Sequence, residues 1–123
     1  NGDTGVVNIG PVKLEECPSL YAECQGLFLP TLAECFSAAY PEAMVMEKPI
    51  VTTDLGFARS ICGDAAVYYE PKVAVSAAVA IVRLLTESGL KEALVENGKR
   101  RLERFDSAAE RARKILEVCE FLA

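Results

Sequence analysis

Short apolar runs, each closed or followed by glycine, proline or an acidic residue, recur along the chain and predict β-strands. They lie at residues 6–9, 27–30, 49–53 and 65–69. The second run is apolar throughout, which is typical of a parallel strand buried on both faces. Proline at the start of the third run is compatible with a strand, because the first residue needs no donor in the ladder.

Between and after these runs, apolar positions recur at helical spacing. Helices are predicted at residues 15–25, 38–46 and 57–62, and from residue 73 onward. The first helix of the last part carries an apolar stripe of Val75, Val79, Val82 and Leu85. A further helix is predicted over residues 90–105. Ser107 and Glu110 form a capping box, so a last helix should run to about Leu122 with one apolar face.

Alternating strands and helices, followed by helices alone, predict an α/β fold. We expect a three-layer, Rossmann-like arrangement with a small, mainly parallel sheet of about four strands, ending in C-terminal helices. The 123 residues should form a single domain. A doubly wound half would need two further strands before Val6, so the sheet looks truncated.

Composition narrows the possible functions. The net charge of −5 argues against binding nucleic acid through a broad basic surface. The chain has no histidine and its five cysteines form no CxxC pair, so a metal site is not expected. No apolar run approaches the ~20 residues of a transmembrane segment, and no signal peptide opens the chain. We therefore expect a cytoplasmic protein with reduced thiols.

The candidate chemistry is concentrated in residues 30–54. Glu34 precedes the second predicted helix, Ser37 is its expected N-cap, and Glu42 lies eight positions after Glu34, on the second turn. Both carboxylates would lie near the carboxyl end of a strand, where open α/β sheets bind ligands. Backbone N–H groups of residues 35–39 would attract an anion such as a diphosphate. A carboxylate that accepts hydroxyl hydrogen bonds beside such amides suits a nucleotide that carries a ribose.

This stretch resembles the C-terminal domain of retaining glycosyltransferases with two Rossmann-like domains (the GT-B architecture), specifically the group 1 glycosyltransferases. That family carries Glu, seven residues, Glu, then an alanine-methionine helix and a strand that begins with proline. The corresponding residues here are Glu34, the segment CFSAAYP, Glu42, Ala43-Met44 and the strand from Pro49. The resemblance extends from Val6 to about Ala123.

The resemblance implies a role for each residue of the candidate site. Glu42 would bind the ribose hydroxyls of a sugar nucleotide, and Glu34 would be the catalytic residue beside the transferred sugar. The other donor-binding residues would be those that follow Glu34 and a loop that lines the base: Cys35, Phe36, Ser37, Ala38, Gly10, Pro11 and Val12. The family usually has glycine at the positions of Cys35 and Ser37, and this departure bears on which sugar fits. No cofactor or metal is implied, because the nucleotide sugar is a substrate.

The resemblance also implies that residues 1–123 are the donor-binding, C-terminal part of a hexosyltransferase-type enzyme. The family's first two strands of this domain and its acceptor-binding N-terminal domain have no counterpart in the sequence. In the family an Arg and a Lys from those strands stabilise the leaving diphosphate, so we expect the chain alone to be inactive.

The full-length protein would transfer a sugar, with retention, to a sugar or lipid-linked acceptor. Polysaccharide biosynthesis in the cytoplasm or at the inner-membrane surface is the expected setting. The exposed edge of a truncated sheet would allow a homodimer.

Two alternatives stay open. A sugar-nucleotide epimerase of the same architecture uses other carboxylates and a histidine, and histidine is absent here. A non-catalytic α/β nucleotide-binding or structural module would leave Glu34 and Glu42 as a loop charge and a helix-face charge. Elsewhere, Ser19 and Tyr21 are either site residues or packing residues, and we favour packing. Asp54 either faces the same cleft or caps the helix that follows it, and we favour the cap.

Overall fold

A computed structural model describes residues 5–122 of the chain. Within these residues a short 3-10 helix, six α-helices and three β-strands are formed. In chain order they are the 3-10 helix Leu14–Glu16, α1 Cys17–Glu23, β1 Leu27–Leu29, α2 Ala39–Val45, β2 Ile50–Thr53, α3 Gly56–Cys62, β3 Ala66–Tyr69, α4 Ala74–Thr86, α5 Leu90–Leu102 and α6 Ala108–Leu122. Strands and helices alternate as far as β3, and helices follow, as the sequence predicts.

The strands form one parallel sheet in the order β1-β2-β3, in which Phe28 pairs with Val51 and Val51 with Val67. This confirms the predicted α/β class and the parallel sheet. The predicted strand at residues 6–9 is wrong, since these residues are irregular and their two valines are 80% and 83% exposed. A strand needs a neighbour for its backbone N–H and C=O groups, and an apolar run does not supply one.

Helices cover both faces of the sheet and give the fold three layers. On one face, α2 and α3 pack against Ile50, and the fully buried Tyr40 belongs to the same apolar cluster. On the other face, Leu84 of α4 and Leu94 of α5 pack against Val51. Successive strand residues point to opposite faces, so Ile50 and Val51 belong to different halves of the core. The sheet therefore provides a rigid support for loops at its carboxyl edge.

Strand β1 lies at the edge of the sheet, and its Phe28 is 43% exposed while stacking on Tyr69 at a centroid distance of 5.7 Å. The prediction that this strand is buried on both faces is therefore wrong. Just before it, the chain approaches β2 closely: a Cβ atom on Gly26 would lie 2.9 Å from the Pro49 carbonyl oxygen. Pairing of this edge with a second copy of the chain stays a prediction.

The apolar stripe of α4 lies on its outer surface, where all four of its members are more than half exposed. The face that packs on the sheet carries Ala77, Ala80, Ile81 and Leu84. Two of these are alanines, whose small side chains allow the helix to approach the strands. Apolar spacing predicts the helix but leaves open which face is buried.

The last helix begins at the predicted capping box. The Ser107 N–H donates to the Glu110 carboxylate at 2.7 Å, and the Glu110 N–H donates to Ser107 Oγ at 3.2 Å. These bonds lower the pKa of Glu110. Every residue of α6 is exposed. Across residues 5–122, none of the helices is long and apolar enough to span a bilayer.

Candidate functional site

The loop between β1 and α2 carries most of the predicted site residues. Glu34, Cys35 and Phe36 are exposed in this loop, and Ser37 is partly buried. The ring of Phe36 meets Phe105 edge-on at a centroid distance of 6.2 Å. The loop is therefore held at its centre by an aromatic contact, while Glu34 remains open to solvent.

Helix α2 begins at Ala39, and its N-cap is Ala38 rather than the predicted Ser37. Ala38 has helical dihedral angles (φ −62°, ψ −25°), its carbonyl accepts the Glu42 N–H at 3.0 Å, and no side chain caps this helix end. Ser37 contributes its carbonyl, which accepts the Tyr40 N–H at 3.3 Å. In consequence Glu42 lies in the first turn of the helix, not the second.

Glu42 forms one wall of an apolar pocket of about 370 Å³ between the α1 region and α2. The pocket is lined by Leu14, Cys17, Pro18, Tyr21, Ala38, Pro41, Glu42, Val45 and Met46. The Tyr21 hydroxyl donates to Glu42 Oε2 at 3.3 Å. A carboxylate on an otherwise apolar wall is the kind of polar group that orients a small ligand.

A buried chain of hydrogen bonds holds α2 against the sheet. Thr52 Oγ1 donates to the Leu29 carbonyl at 2.9 Å and lies 2.7 Å from the hydroxyl of Tyr40, which is fully buried. Because a threonine hydroxyl has one hydrogen, the Tyr40 hydroxyl must donate to Thr52. The start of α2 is thereby tied to β2 and, through it, to β1.

The charge of Glu34, in the loop before α2, acts on the Tyr40 hydroxyl that takes part in these bonds. Burial raises the pKa of Tyr40, and the Glu34 carboxylate adds to that rise. Glu42 acts in the same way on Tyr21, whose pKa is raised to about 12, first by burial and then by this carboxylate. Each carboxylate therefore raises the pKa of a different tyrosine, and only Glu42 also accepts a hydrogen bond from its tyrosine.

The predicted base-binding residues Gly10, Pro11 and Val12 lie in an exposed segment ahead of the 3-10 helix. Gly10 has φ +72°, and its N–H donates to Asn8 Oδ1 at 2.9 Å. The pocket begins two residues after this segment, at Leu14. Of the predicted residues, Ala38 and Glu42 line the pocket, and the binding or catalytic role of every predicted site residue stays a prediction.

The carboxyl end of β2 is occupied by an ion pair. The interpretation of Asp54 as a helix cap is wrong, because the N-cap of α3 is Leu55. Asp54 instead accepts two hydrogen bonds from Arg59, at 2.5 and 2.7 Å, and these bonds lower its pKa. Arg59 also lies over the Tyr68 ring at 4.1 Å. This cation near the sheet edge is therefore already neutralised by a neighbour.

Tyr21 is a functional candidate for which the sequence favoured a packing role. Its ring packs against the core, as predicted, but its hydroxyl reaches Glu42, which is 21 positions away in the sequence. No spacing rule links positions so far apart on two helices, so the signal exists only in the folded chain. No group of three or more cysteine, aspartate or glutamate side chains suited to a metal ion occurs in the part of the chain that the structure describes.

The chain belongs to the family described as "Glycosyl transferases group 1", whose model matches residues 1–87 and so includes Glu34 and Glu42. Among solved structures, the chain is similar to a sucrose-phosphate synthase from Thermosynechococcus elongatus, with a TM-score of 0.79 and 21% sequence identity. The alignment covers 93% of this chain and 29% of that chain. This likeness shows the fold, which matches part of the Rossmann-like architecture of a GT-B glycosyltransferase. A search of the curated proteins found no match.

Proposed function

We propose that this chain binds the nucleoside diphosphate of a sugar-nucleotide donor, as the donor-binding part of a retaining, hexosyltransferase-type glycosyltransferase. The observation that carries the proposal is the Glu42 carboxylate on the wall of the apolar pocket, a few residues after the exposed Glu34 loop. Membership of the glycosyltransferase family supports the same assignment.

The pocket offers two kinds of interaction that a nucleoside needs. The Glu42 carboxylate accepts hydrogen bonds from the two ribose hydroxyls, and such bonds to a charged acceptor are stronger than bonds to a neutral one. The apolar wall, including Leu14 and Pro41, provides contact surface for the flat heterocycle. Glu34, exposed in the neighbouring loop, is the group assigned to the transferred sugar.

Sugar transfer itself should need positively charged groups in addition to the residues described above. The departing diphosphate carries negative charge, and catalysis requires that this charge be stabilised. Near the sheet edge, Arg59 is paired with Asp54, and this ion pair weakens the attraction of Arg59 for a second anion. We therefore assign binding of the donor to this chain, and binding of a sugar or lipid-linked acceptor to other parts of a longer enzyme.

Thermal unfolding with millimolar UDP, GDP or ADP tests the proposal. A ligand that binds only the folded state stabilises it by RT ln(1 + [L]/Kd), which is about 1.4 kcal/mol at tenfold excess over Kd. One nucleotide should raise Tm by several degrees, and Glu42→Ala should abolish that rise. Glu96→Ala, which removes an exposed carboxylate from α5, should keep it. Equal shifts in the Glu42 variant and the unmodified chain, or no shift with any nucleotide, would contradict the proposal.

A further inference from the structure

The Tyr21 hydroxyl is placed to control the Glu42 carboxylate. It lies 3.3 Å from Glu42 Oε2 and 3.5 Å from the Ala39 carbonyl oxygen. A phenol has one hydrogen to donate, and the charged carboxylate is the stronger acceptor of the two. Tyr21 is partly buried and packed against the core, whereas Glu42 is exposed. The fixed group is therefore the tyrosine, and the group that gains order is the glutamate.

An exposed glutamate samples several rotamers, and ordering it for a ligand opposes binding. A hydrogen bond from a fixed donor reduces that loss before the ligand arrives. Tyr21 bonds to Oε2, and the second carboxylate oxygen, Oε1, keeps its acceptor positions for a ligand. The hydroxyl also stays protonated at neutral pH, because burial and Glu42 raise the pKa of Tyr21 to about 12.

We propose that Tyr21 is a positioning residue that orients Glu42 and thereby sets the preference of the pocket for a ribose over a sugar without 2′- and 3′-hydroxyls. This inference rests on the proposed function, since it assumes that Glu42 accepts those hydroxyls. It adds to the proposed function a second residue, Tyr21 of α1, and names the ribose hydroxyls as the ligand feature that this residue helps to select. Tyr21 acts through Glu42 and is not itself placed against the ligand.

The test is a set of calorimetric affinities for the intact chain. UDP, GDP and ADP are each compared with their 2′,3′-dideoxy forms, so that the ratio of the two dissociation constants reports the ribose preference. Tyr21→Phe keeps the ring and removes only the hydroxyl. Tyr68→Phe is the matched control, because its hydroxyl donates to the Gly63 carbonyl at 2.7 Å and not to a carboxylate.

The unmodified chain and Tyr68→Phe should prefer the ribonucleotide by the same ratio. Tyr21→Phe should reduce that ratio about three- to tenfold, the range for the net loss of one ordinary hydrogen bond, and leave dideoxynucleotide affinity within about twofold. A purely structural role would weaken both ligands together and would overturn the inference.

The two proposals fail in different ways. If Glu42→Gln removes the ribose preference and Tyr21→Phe keeps it, the positioning role is refuted and the proposed function stands. If the unmodified chain binds ribonucleotide and dideoxynucleotide equally, or binds neither, the proposed function is refuted and the positioning role with it.

Discussion

The buried hydrogen bonds from Tyr40 through Thr52 to the Leu29 carbonyl allow a quantitative prediction, because each link has one donor and one acceptor. Thr52→Val keeps the side-chain shape but leaves the Tyr40 hydroxyl without its acceptor in a fully buried position. An unsatisfied buried hydroxyl costs about 1–3 kcal/mol, and the Leu29 carbonyl also loses a donor, so we expect a loss of about 2–4 kcal/mol.

Tyr40→Phe removes the donor instead, and Thr52 can still bond to Leu29. The expected loss is about 1 kcal/mol, the net value of one neutral hydrogen bond. In the double variant no hydroxyl is left unpaired, so its loss should be smaller than the sum of the two single losses by about 1 kcal/mol or more. The order of stability and the sign of the coupling both follow from the direction of the hydrogen bonds.

Urea unfolding followed by far-UV circular dichroism measures these free energies. The four proteins of the cycle should unfold with similar m values, so that differences in midpoint report differences in stability. Additive losses, or a larger loss for Tyr40→Phe than for Thr52→Val, would refute the assigned direction and the idea that this chain of bonds holds α2 on the sheet.

Three further predictions use separate contacts. In a carbon NMR titration the Tyr21 phenol should ionise near pH 12, and Glu42→Gln should lower that pKa. Because folding favours the neutral phenol, the free energy of unfolding should fall as the pH rises from about 10 to 12. Gly26→Ala should lower the free energy of unfolding in urea by about 1–3 kcal/mol, since its Cβ would press on the Pro49 carbonyl. Arg101→Met should lower Tm, because its guanidinium bonds to the last carbonyls of α3.

Each of these three predictions has an outcome that would contradict it. An unchanged Tyr21 pKa in Glu42→Gln would show that the two side chains do not interact in solution. Gly98→Ala is the control for the glycine variant, because its Cβ would meet the flexible Met44 side chain at 3.2 Å rather than a carbonyl. Equal losses at Gly26 and Gly98 would remove the backbone contact as the cause. An Arg101→Met protein as stable as the unmodified chain would make the α3 contact unimportant.

Much of the architecture could be predicted from local patterns. The Ser107–Glu110 capping box marked the start of α6, and the apolar runs marked β2 and β3 within one residue. These signals are local: a cap bonds to its own helix, and a parallel strand buried on both faces forms a nearly continuous run of apolar and β-branched residues. The residues around Glu34 and Glu42 also carry the family resemblance, and the family match confirms it.

What could not be predicted depends on the neighbours of each element. Residues 6–9 are as apolar as β3 but pair with no strand among the described residues 5–122, so they stay irregular. Phe28 is half-exposed because β1 lies at the edge of the sheet. The outer stripe of α4 is apolar, yet the sheet takes the face with the alanines. Tyr21 meets Glu42 only because the fold brings this residue of α1 to the first turn of α2, and no sequence spacing encodes that contact.

Backbone amide NMR during titration with UDP, GDP or ADP would show whether a nucleoside diphosphate binds at Glu42 beside the α1–α2 pocket. We expect the shifts to concentrate in the loop and first turn at residues 34–42 and around Leu14 and Tyr21, and Glu42→Gln to remove them. Shifts concentrated on the outer face of α4 or along α6, or shifts unaffected by Glu42→Gln, would contradict it.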